Sequence, residues 1–250
     1  MINLKTNQEI EIMKEGGSIL AKVVKELMPQ IEVGMTTQEV DKRADKLIAS
    51  HGAEASFKTV QGYSWATCLP VNAQAVHTPP SKYKLKQGDI LTVDIGVFYK
   101  GFHTDYATTV FIGDGIDQKK QQFLKVGKET LDLAIEKVKE GDHLGTIAHF
   151  IEETIESNGY YILKDLTGHG IGKKLHEDPY VLNYVDRPIE KTYKIRNGLT
   201  IAVEIIYSMG SEEIAYEKNN DWSIVSKDFS LSACFEKSIA VQEGKTFILT

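Results

Sequence analysis

The sequence predicts a mixed α/β (α+β) fold in which two related halves each carry helices followed by strands. Apolar residues recur at helical spacing before about residue 52 and again between about residues 119 and 157. Each helical block precedes strand-like sequence that is punctuated by turn residues. The two blocks also resemble each other at a constant offset of 107 residues. These three observations indicate an internal repeat.

The first two helices have recognisable ends. In NQEIEIMKEGGSILAKVVKELMPQIEVG, apolar residues share one helical face and Pro29 stands near the end of the helix. The second helix, in TTQEVDKRADKLIASHG, opens with Thr36 and Glu39 at the spacing of a capping box and closes at Gly52. The face of the first helix consists of Ile10, Met13, Ile19, Val23, Val24 and Leu27.

Strands and two further helices are predicted for the rest of the chain. Strand-like sequence runs over residues 56–112, and the helices are expected over residues 119–139 and 144–157. Mixed strands fill the remainder, including GLTIAVEIIYSMG and LSACFEKSIAV.

Residues 34–52 and 141–159 form the repeat, since each block begins and ends at a glycine. Any two amphipathic helices that end in glycine look alike, which is the simpler interpretation. The repeat gains weight because each block precedes strands with acidic residues: shifting Asp94 by 107 positions reaches residue 201, near Glu204. The halves, roughly 1–112 and 113–250, would face each other across an interface where sites tend to form.

Length and composition indicate a soluble globular protein. The 250 residues fit one large domain or two fused halves, with 42% hydrophobic and 26% charged residues. A net charge of −6 argues against a nucleic-acid-binding surface. Cys68 and Cys234 supply neither a disulfide framework nor a cysteine zinc motif. No signal-peptide core or bilayer-length apolar stretch is visible, so we expect a cytoplasmic protein without a membrane partner.

Two aspartates interrupt the predicted hairpin TVDIGVFYKGFHTDYA. With a turn at residues 100–101, Gly96 pairs with Asp105 and Asp94 pairs with Ala107. The two carboxylates then emerge on one face as diagonal neighbours. Two ionised carboxylates there repel each other, which drives one to protonate unless a divalent cation lies between them. A pair of solvent-facing aspartates is the alternative.

Later segments add two histidines and two glutamates. His169 lies between glycines in LTGHGIGKKLHEDP, His176 follows, and Glu204 and Glu236 interrupt the apolar runs LTIAVEIIY and LSACFEKSIAV. A lone glutamate in such a run is usually at a bulge, a strand edge or a salt bridge. Four acids and a glycine-flanked histidine together favour one shared site. Carboxylates with one imidazole suit manganese, iron(II), cobalt or zinc, and four carboxylates would balance the charge of two ions.

The motifs VDIGVFYKGFHTD, GHGIGKKLHEDP, VEII and SACFEKSIAV resemble, in order and spacing, those of the methionine aminopeptidases. The resemblance covers nearly the whole chain. With no long N-terminal extension and no large insertion between His176 and Glu204, the chain is similar to the short type I form. The resemblance implies the pita-bread fold, with two pseudo-symmetric halves around a dinuclear metal site in a single catalytic domain over residues 1–250.

The resemblance also implies a role for each ligand. Asp94 chelates one divalent ion, and His169 and Glu204 bind the other. Asp105 and Glu236 bridge both. The two ions would be cobalt, manganese, iron(II) or zinc. A water or hydroxide held between them would be the nucleophile, and Glu204 would shuttle its proton.

Substrate contacts are implied in the same way. His77, in NAQAVHTPP, would lie near the scissile amide, and His176 would hydrogen-bond its carbonyl oxygen. From the residues alone, a loop histidine and a satisfied surface histidine are the favoured interpretations. The side-chain pocket of the family is matched by Tyr63, Cys68 and Trp222, a polarizable lining suited to a thioether. These three could also be ordinary core residues.

Several positions depart from the family pattern. HTPP stands where HGIP is common, and Ile205 replaces the proline that usually follows Glu204. Leu175 replaces an aromatic residue beside the substrate, and Lys237 replaces a histidine. We expect these changes to affect substrate preference more than metal binding.

The resemblance implies an enzyme that removes the initiator methionine from the N-terminal peptide of nascent proteins and prefers a small second residue. An Xaa-Pro aminopeptidase or dipeptidase uses the same ligands but usually has an extra N-terminal domain. A non-catalytic binding protein on the same fold is a third hypothesis. The family implies a monomer. Ribosome contact suits an enzyme of nascent chains, although no basic tail argues for it.

Overall fold

The computed structural model describes residues 2–250, and within them the chain forms four α-helices and thirteen β-strands. The helices are α1 Asn7–Leu27, α2 Thr37–Ser50, α3 Gln118–Glu136 and α4 Leu144–Ser157. The strands are β1 Glu54–Ala55, β2 Thr67–Cys68, β3 Gln74–Val76, β4 Ile90–Tyr99, β5 Phe102–Phe111, β6 Tyr161–Ile162, β7 Gly168–Gly170, β8 Glu177–Val181, β9 Thr200–Ser208, β10 Ile214–Tyr216, β11 Ile224–Ser226, β12 Ser232–Gln242 and β13 Lys245–Ile248.

The helices follow the sequence signals closely. The capping box of Thr36 with Glu39 is present at the start of α2, as predicted. One segment differs from the prediction: Ser56–Thr59 is a short 3₁₀-helix inside the region expected to be strand-like. The hydroxyl of Thr59 donates to the carbonyl oxygen of Ser56 at 2.7 Å, and this local bond stabilises a turn in place of a strand ladder.

Strands β1, β4, β5, β12, β9, β7 and β8 lie in that order in an antiparallel sheet, and β2, β6 and β13 pair at its margins to make ten strands. A second, three-stranded sheet has the order β10-β11-β3. The hairpin of β4 and β5 has the predicted register, with Gly96 opposite Asp105 and Asp94 opposite Ala107. The mixed α/β fold with antiparallel strands is therefore confirmed.

Alternation along the strands separates the two faces of the large sheet. One face packs against the helices, with α1 and α2 over β4 and with α3 and α4 over β9 and β12. The residues that face the helices are Leu91, Val93, Ile95 and Val97 of β4 and Ile201, Val203, Ile205 and Tyr207 of β9. The intervening residues, including Asp94 and Glu204, project from the opposite face.

The helical repeat is visible in the backbone. Helices α2 and α4 each have 14 residues and begin at Thr37 and Leu144, which are 107 positions apart. The N–H of Gly34 donates to a carbonyl oxygen of the turn before β4 at 2.7 Å, and the N–H of Gly141 does the same before β9 at 2.9 Å. Both glycines have positive φ, a conformation that most L-residues avoid. Across residues 2–250, none of the helices combines the length and apolarity needed to cross a membrane.

Candidate active site

Pairing of the long strands brings the four candidate carboxylates to one face of the sheet. Asp94 lies opposite Ala107, Ala107 lies opposite Glu236, and Glu236 lies opposite Glu204. These residues form a row across β4, β5, β12 and β9. Asp105 precedes Ala107 by two positions and therefore projects from the same face.

His169 joins this group from β7. It lies opposite Ala202, two positions before Glu204, so its imidazole lies on the carboxylate side. Its Nδ1 is 2.9 Å from the carbonyl oxygen of Gly170. Because that oxygen only accepts, Nδ1 carries the proton and donates. The Nε2 lone pair is left free to bind a metal ion.

The glycines that flank His169 are required by strand packing. A Cβ atom at Gly168 would lie 2.4 Å from the carbonyl oxygen of Ala202, and one at Gly170 would lie 2.2 Å from that of Asp178. The structure shows that these glycines let the backbones of β8 and β9 approach β7.

The carboxylates and the imidazole open into a cavity of about 680 Å³. All eleven side chains that the sequence proposed for the site line this cavity: Asp94, Asp105, His169, Glu204, Glu236, His77, His176, Tyr63, Cys68, Leu175 and Trp222. Residues separated by up to 173 positions, from Tyr63 to Glu236, therefore share one space.

Burial makes ionisation of the carboxylates unfavourable. It raises the pKa of Asp105 to about 7 and that of Glu204 to about 8. Burial and the charges of neighbouring carboxylates, Asp105 first among them, raise the pKa values of Asp94 and Glu236 well above their usual range. Because these acids destabilise one another's charges, a positive charge placed between them would be stabilised.

The donor atoms fit a divalent metal. Those of Asp105, His169 and Glu236 lie within 4.8 Å of one another. Asp94 Oδ1 and Glu236 Oε1 are buried without a hydrogen-bond partner, a costly condition that coordination would relieve. Burial lowers the pKa of His169 to about 3, so the imidazole is neutral at pH 7. Its contact of 3.9 Å with Glu236 is therefore not an ion pair at that pH.

The other two candidate histidines lie beside the candidate metal ligands. The ring of His176 meets that of His169 edge to face, with centroids 4.4 Å apart. His77 has a φ of 57°, an unusual left-handed conformation for a histidine. The next residue, Thr78, fixes this loop through a hydroxyl contact of 2.6 Å with Ser223. Desolvation by the cavity wall lowers the pKa of His77 to about 4 and also lowers that of His176, although both residues keep an exposed surface.

Aromatic and sulfur-containing side chains form one wall of the cavity. The ring of Tyr63 meets that of Trp222 edge to face, with centroids 5.1 Å apart. The hydroxyl of Tyr63 is 2.8 Å from the carbonyl oxygen of Thr67 and 3.1 Å from the sulfur of Cys68. The polar end of the tyrosine is thus satisfied by the protein, and Leu175 adds apolar surface to the lining.

Sequence reasoning missed some residues beside the site. The thiol of Cys234 lies 3.3 Å from Glu204 Oε1 and donates to it, and Ile206 lines the cavity. Each is two positions from a candidate ligand on its own strand, so strand alternation could have found both. Phe57 and Val60 also line the cavity, and no motif marks them.

Comparison with known proteins identifies the family. The model of metallopeptidase family M24 matches residues 11–243. A methionine aminopeptidase of Clostridium perfringens is 36% identical, covering 100% of this chain and 99% of the relative.

Solved structures give the same result. The crystal structure of methionine aminopeptidase from Thermotoga maritima superposes with a TM-score of 0.95 at 36% identity, covering 100% of this chain and 99% of that one. Prolidase from Pyrococcus furiosus, at a TM-score of 0.79 and 21% identity over 99% of this chain and 65% of that chain, shares the fold. The predicted pita-bread architecture is thus confirmed, and a metallopeptidase family implies a divalent metal. The chain belongs to metallopeptidase family M24, and within it to the methionine aminopeptidases.

Proposed function

We propose that this protein removes the N-terminal initiator methionine from nascent proteins by metal-dependent hydrolysis and prefers a small second residue. The observation that carries the proposal is the cavity itself. Three buried carboxylates, the half-buried Glu204 and a neutral imidazole converge there, beside a wall of aromatic and sulfur-containing side chains. Full-length similarity to curated methionine aminopeptidases supports the same reaction.

Five side chains would hold two divalent ions: Asp94, Asp105, His169, Glu204 and Glu236. Their oxygen and nitrogen donors suit cobalt, manganese, iron(II) or zinc, and four carboxylates match the charge of two such ions. When bound, these ions polarise a peptide carbonyl and lower the pKa of a water molecule. In this proposal Asp94 would help to hold one ion, His169 and Glu204 would help to hold the other, and Asp105 and Glu236 would contribute to both.

Glu204 would hold the proton during the reaction. Its carboxyl has a pKa of about 8 before metal binds, because burial opposes its charge. Proton transfer is most efficient when the pKa of the catalytic group lies near the working pH. Positive charge nearby would lower this pKa toward neutrality. Glu204 could then accept a proton from water and return it to the leaving amine.

His77 and His176 would orient the scissile amide. Desolvation inside the cavity lowers the pKa of both, so each is neutral at pH 7, although neither residue is fully buried. A neutral imidazole can donate an N–H to the carbonyl oxygen without adding charge to the site. Tyr63, Cys68, Leu175 and Trp222 would surround the methionine side chain, whose thioether packs well against aromatic rings.

We also propose that the chain acts as one catalytic domain with halves at 1–112 and 113–250, as a monomer in the cytoplasm. The equal lengths of α2 and α4 support the two halves. The substrates of the protein would be the N-terminal peptides of nascent proteins. Contact with the ribosome would bring the enzyme close to these peptides.

The test begins with metal-free protein. Mn(II), Co(II), Fe(II) or Zn(II) is added separately, and methionine release from Met-Ala-Ser is measured beside cleavage of an Xaa-Pro peptide. Metal-dependent release from Met-Ala-Ser supports the proposal, and calorimetry gives the number of ions bound. Preferential cleavage of the Xaa-Pro peptide would overturn it, as would stoichiometric metal binding without any hydrolysis.

A further inference from the structure

A buried ion pair lies behind the loop that carries His176. Lys5 Nζ is 2.5 Å from Glu177 Oε2, and the two side chains are only 5% and 4% exposed. Lys5 Nζ also donates to the carbonyl oxygen of Asn3 at 2.8 Å, and Glu177 Oε1 accepts from the backbone N–H of Lys174 at 3.1 Å. Buried charges need several such contacts to offset their desolvation, and this pair has them.

The ion pair connects two distant parts of the chain. Lys5 precedes α1, and its backbone N–H donates to the carbonyl oxygen of Gly198 at 2.7 Å, just before β9. Glu177 begins β8 and directly follows His176. The ion pair therefore attaches the end of the β7–β8 loop to the segment that leads into β9, the strand that carries Glu204.

The lysine side chain also packs against the loop itself. A Cβ atom at Gly172 would lie 2.2 Å from Lys5 Cε and 2.9 Å from Glu177 Oε1. The backbone of Gly172 is in turn held by β5, since its carbonyl oxygen accepts from the N–H of His103 at 2.7 Å. The loop is thus enclosed between β5 on one side and the Lys5 side chain on another.

We propose that Lys5 is a positioning residue which, through Glu177, holds His176 in place to contact the substrate. This proposal rests on the aminopeptidase function proposed above. His169 depends less on the ion pair, because β7 pairs with β9 as well as with β8 and the β9 partner holds His169 independently of Glu177. Loss of Lys5 should therefore disturb His176 and leave the metal ligands in place.

The test is the variant Lys5→Met, which keeps most of the side-chain volume and removes the charge. A displacement of His176 by about 1 Å is expected to lower kcat for Met-Ala-Ser by about 10- to 100-fold. KM should change less, because an interaction made in the transition state is lost. Affinity for Mn(II), measured by calorimetry, should stay within about twofold of the wild type, since changes of 10- to 100-fold mark damage to the metal's surroundings.

Lys173 provides the matched control. It belongs to the same loop and pairs with Glu9 at 2.9 Å, but its side chain is 68% exposed. Because an exposed ion pair contributes little, Lys173→Ala should leave kcat unchanged. An equal loss of kcat in Lys173→Ala would overturn the proposal, since any change to the loop would then suffice.

Lys5→Met leaves the Glu177 carboxylate buried without its partner and can reduce the folded fraction. The double variant Lys5→Met/Glu177→Gln removes both charges and avoids that problem. Its kcat per folded molecule should fall as in the single variant. A lower Tm with full kcat would show that the pair only stabilises the fold, which overturns the positioning role alone. A wild-type protein that releases no methionine would overturn the proposed function as well.

Discussion

Asp94 and Glu204 occupy equivalent positions in the two halves of the fold. Each is the fifth residue of its strand, since β4 begins at Ile90 and β9 begins at Thr200. Each strand follows a pair of helices, and the side chains on the face opposite the acid pack against those helices. The offset between the two acids is 110 residues, three more than between α2 and α4, because the second half has three additional residues before its strand. The two halves thus supply one carboxylate each from the same place in the motif.

Removal of the Asp105 charge should abolish metal-dependent activity. Asp105→Asn keeps the shape of the side chain but removes one of the charged donors that converge with His169 and Glu236. We expect Mn(II) affinity and methionine release to fall by more than about 100-fold, beyond the loss typical of residues that only support a ligand. Calorimetry and a peptide assay measure the two effects.

Asp89→Asn is the control for this change. Asp89 is also buried, but it accepts hydrogen bonds from Tyr83 and Lys86 away from the cavity. The Asp89→Asn variant should be less stable than the wild type and should keep its affinity for Mn(II). Near-normal activity in Asp105→Asn would contradict the proposed ligand set.

The metal-free protein should lose stability as pH rises. Burial raises the pKa of Asp105 from 3.8 to about 7 and that of Glu204 from 4.5 to about 8. Between the unfolded and the folded pKa of each acid, the folded chain binds more protons than the unfolded chain. The stability that these protons contribute is therefore complete below about pH 4 and is lost as pH rises toward 8. Thermal unfolding of metal-free protein at several pH values should show the decline.

The double variant Asp105→Asn/Glu204→Gln isolates this contribution from the other titrating groups. Its Tm should decline less between about pH 5 and pH 8 than that of the wild type, because the two raised pKa values are gone. Saturating Mn(II) should also reduce the decline in the wild type, since bound ions stabilise the ionised carboxylates. Identical pH profiles for wild type and variant would contradict the prediction.

Trp222 should determine how well the cavity selects methionine. Its ring packs against Tyr63 in the cavity wall, so Trp222→Ala would remove apolar contact from the methionine side chain. We expect kcat/KM for Met-Ala-Ser to fall at least about tenfold, with a smaller loss for Leu-Ala-Ser. Trp65 also contacts Tyr63, at 5.2 Å between ring centroids, and Trp65→Ala serves as the control with methionine preference retained. Equal losses for both peptides would argue against a role in specificity.

Gly170→Ala should weaken both the fold and the metal site. The added Cβ would approach the backbone oxygen of Asp178 within 2.2 Å and force β8 away from β7. A clash with backbone is not relieved by a rotamer change, so we expect a loss of about 1–3 kcal/mol of stability and weaker Mn(II) binding through the neighbouring His169. Gly16 lies within α1, and the atom nearest to an added Cβ there is Tyr99 Cβ at 3.4 Å. Gly16→Ala should therefore be neutral or stabilising by up to about 1 kcal/mol. A Gly170→Ala protein with unchanged Tm would refute this account of the glycine.

Local features were readable from the sequence because they depend on near neighbours. The capping box at Thr36, the helix spans near residues 119–157 and the register of the β4–β5 hairpin follow from helical period, turn residues and strand alternation. The face shared by Asp94 and Asp105 follows from the same alternation. The short 3₁₀-helix at Ser56–Thr59 escaped prediction because a single side-chain hydrogen bond decides it.

The sequence by itself determined the helices, the central hairpin and, through ordered motifs, the family and the candidate ligands. Only the tertiary structure decided that β12 lies between β5 and β9, which brings Glu236 between Asp94 and Glu204. It also showed that the glycines beside His169 serve strand packing, and that Lys5 pairs with Glu177 across 172 positions. Such contacts depend on long-range packing and burial, and neither hydrophobic period nor residue type along a single chain specifies which distant segments will meet.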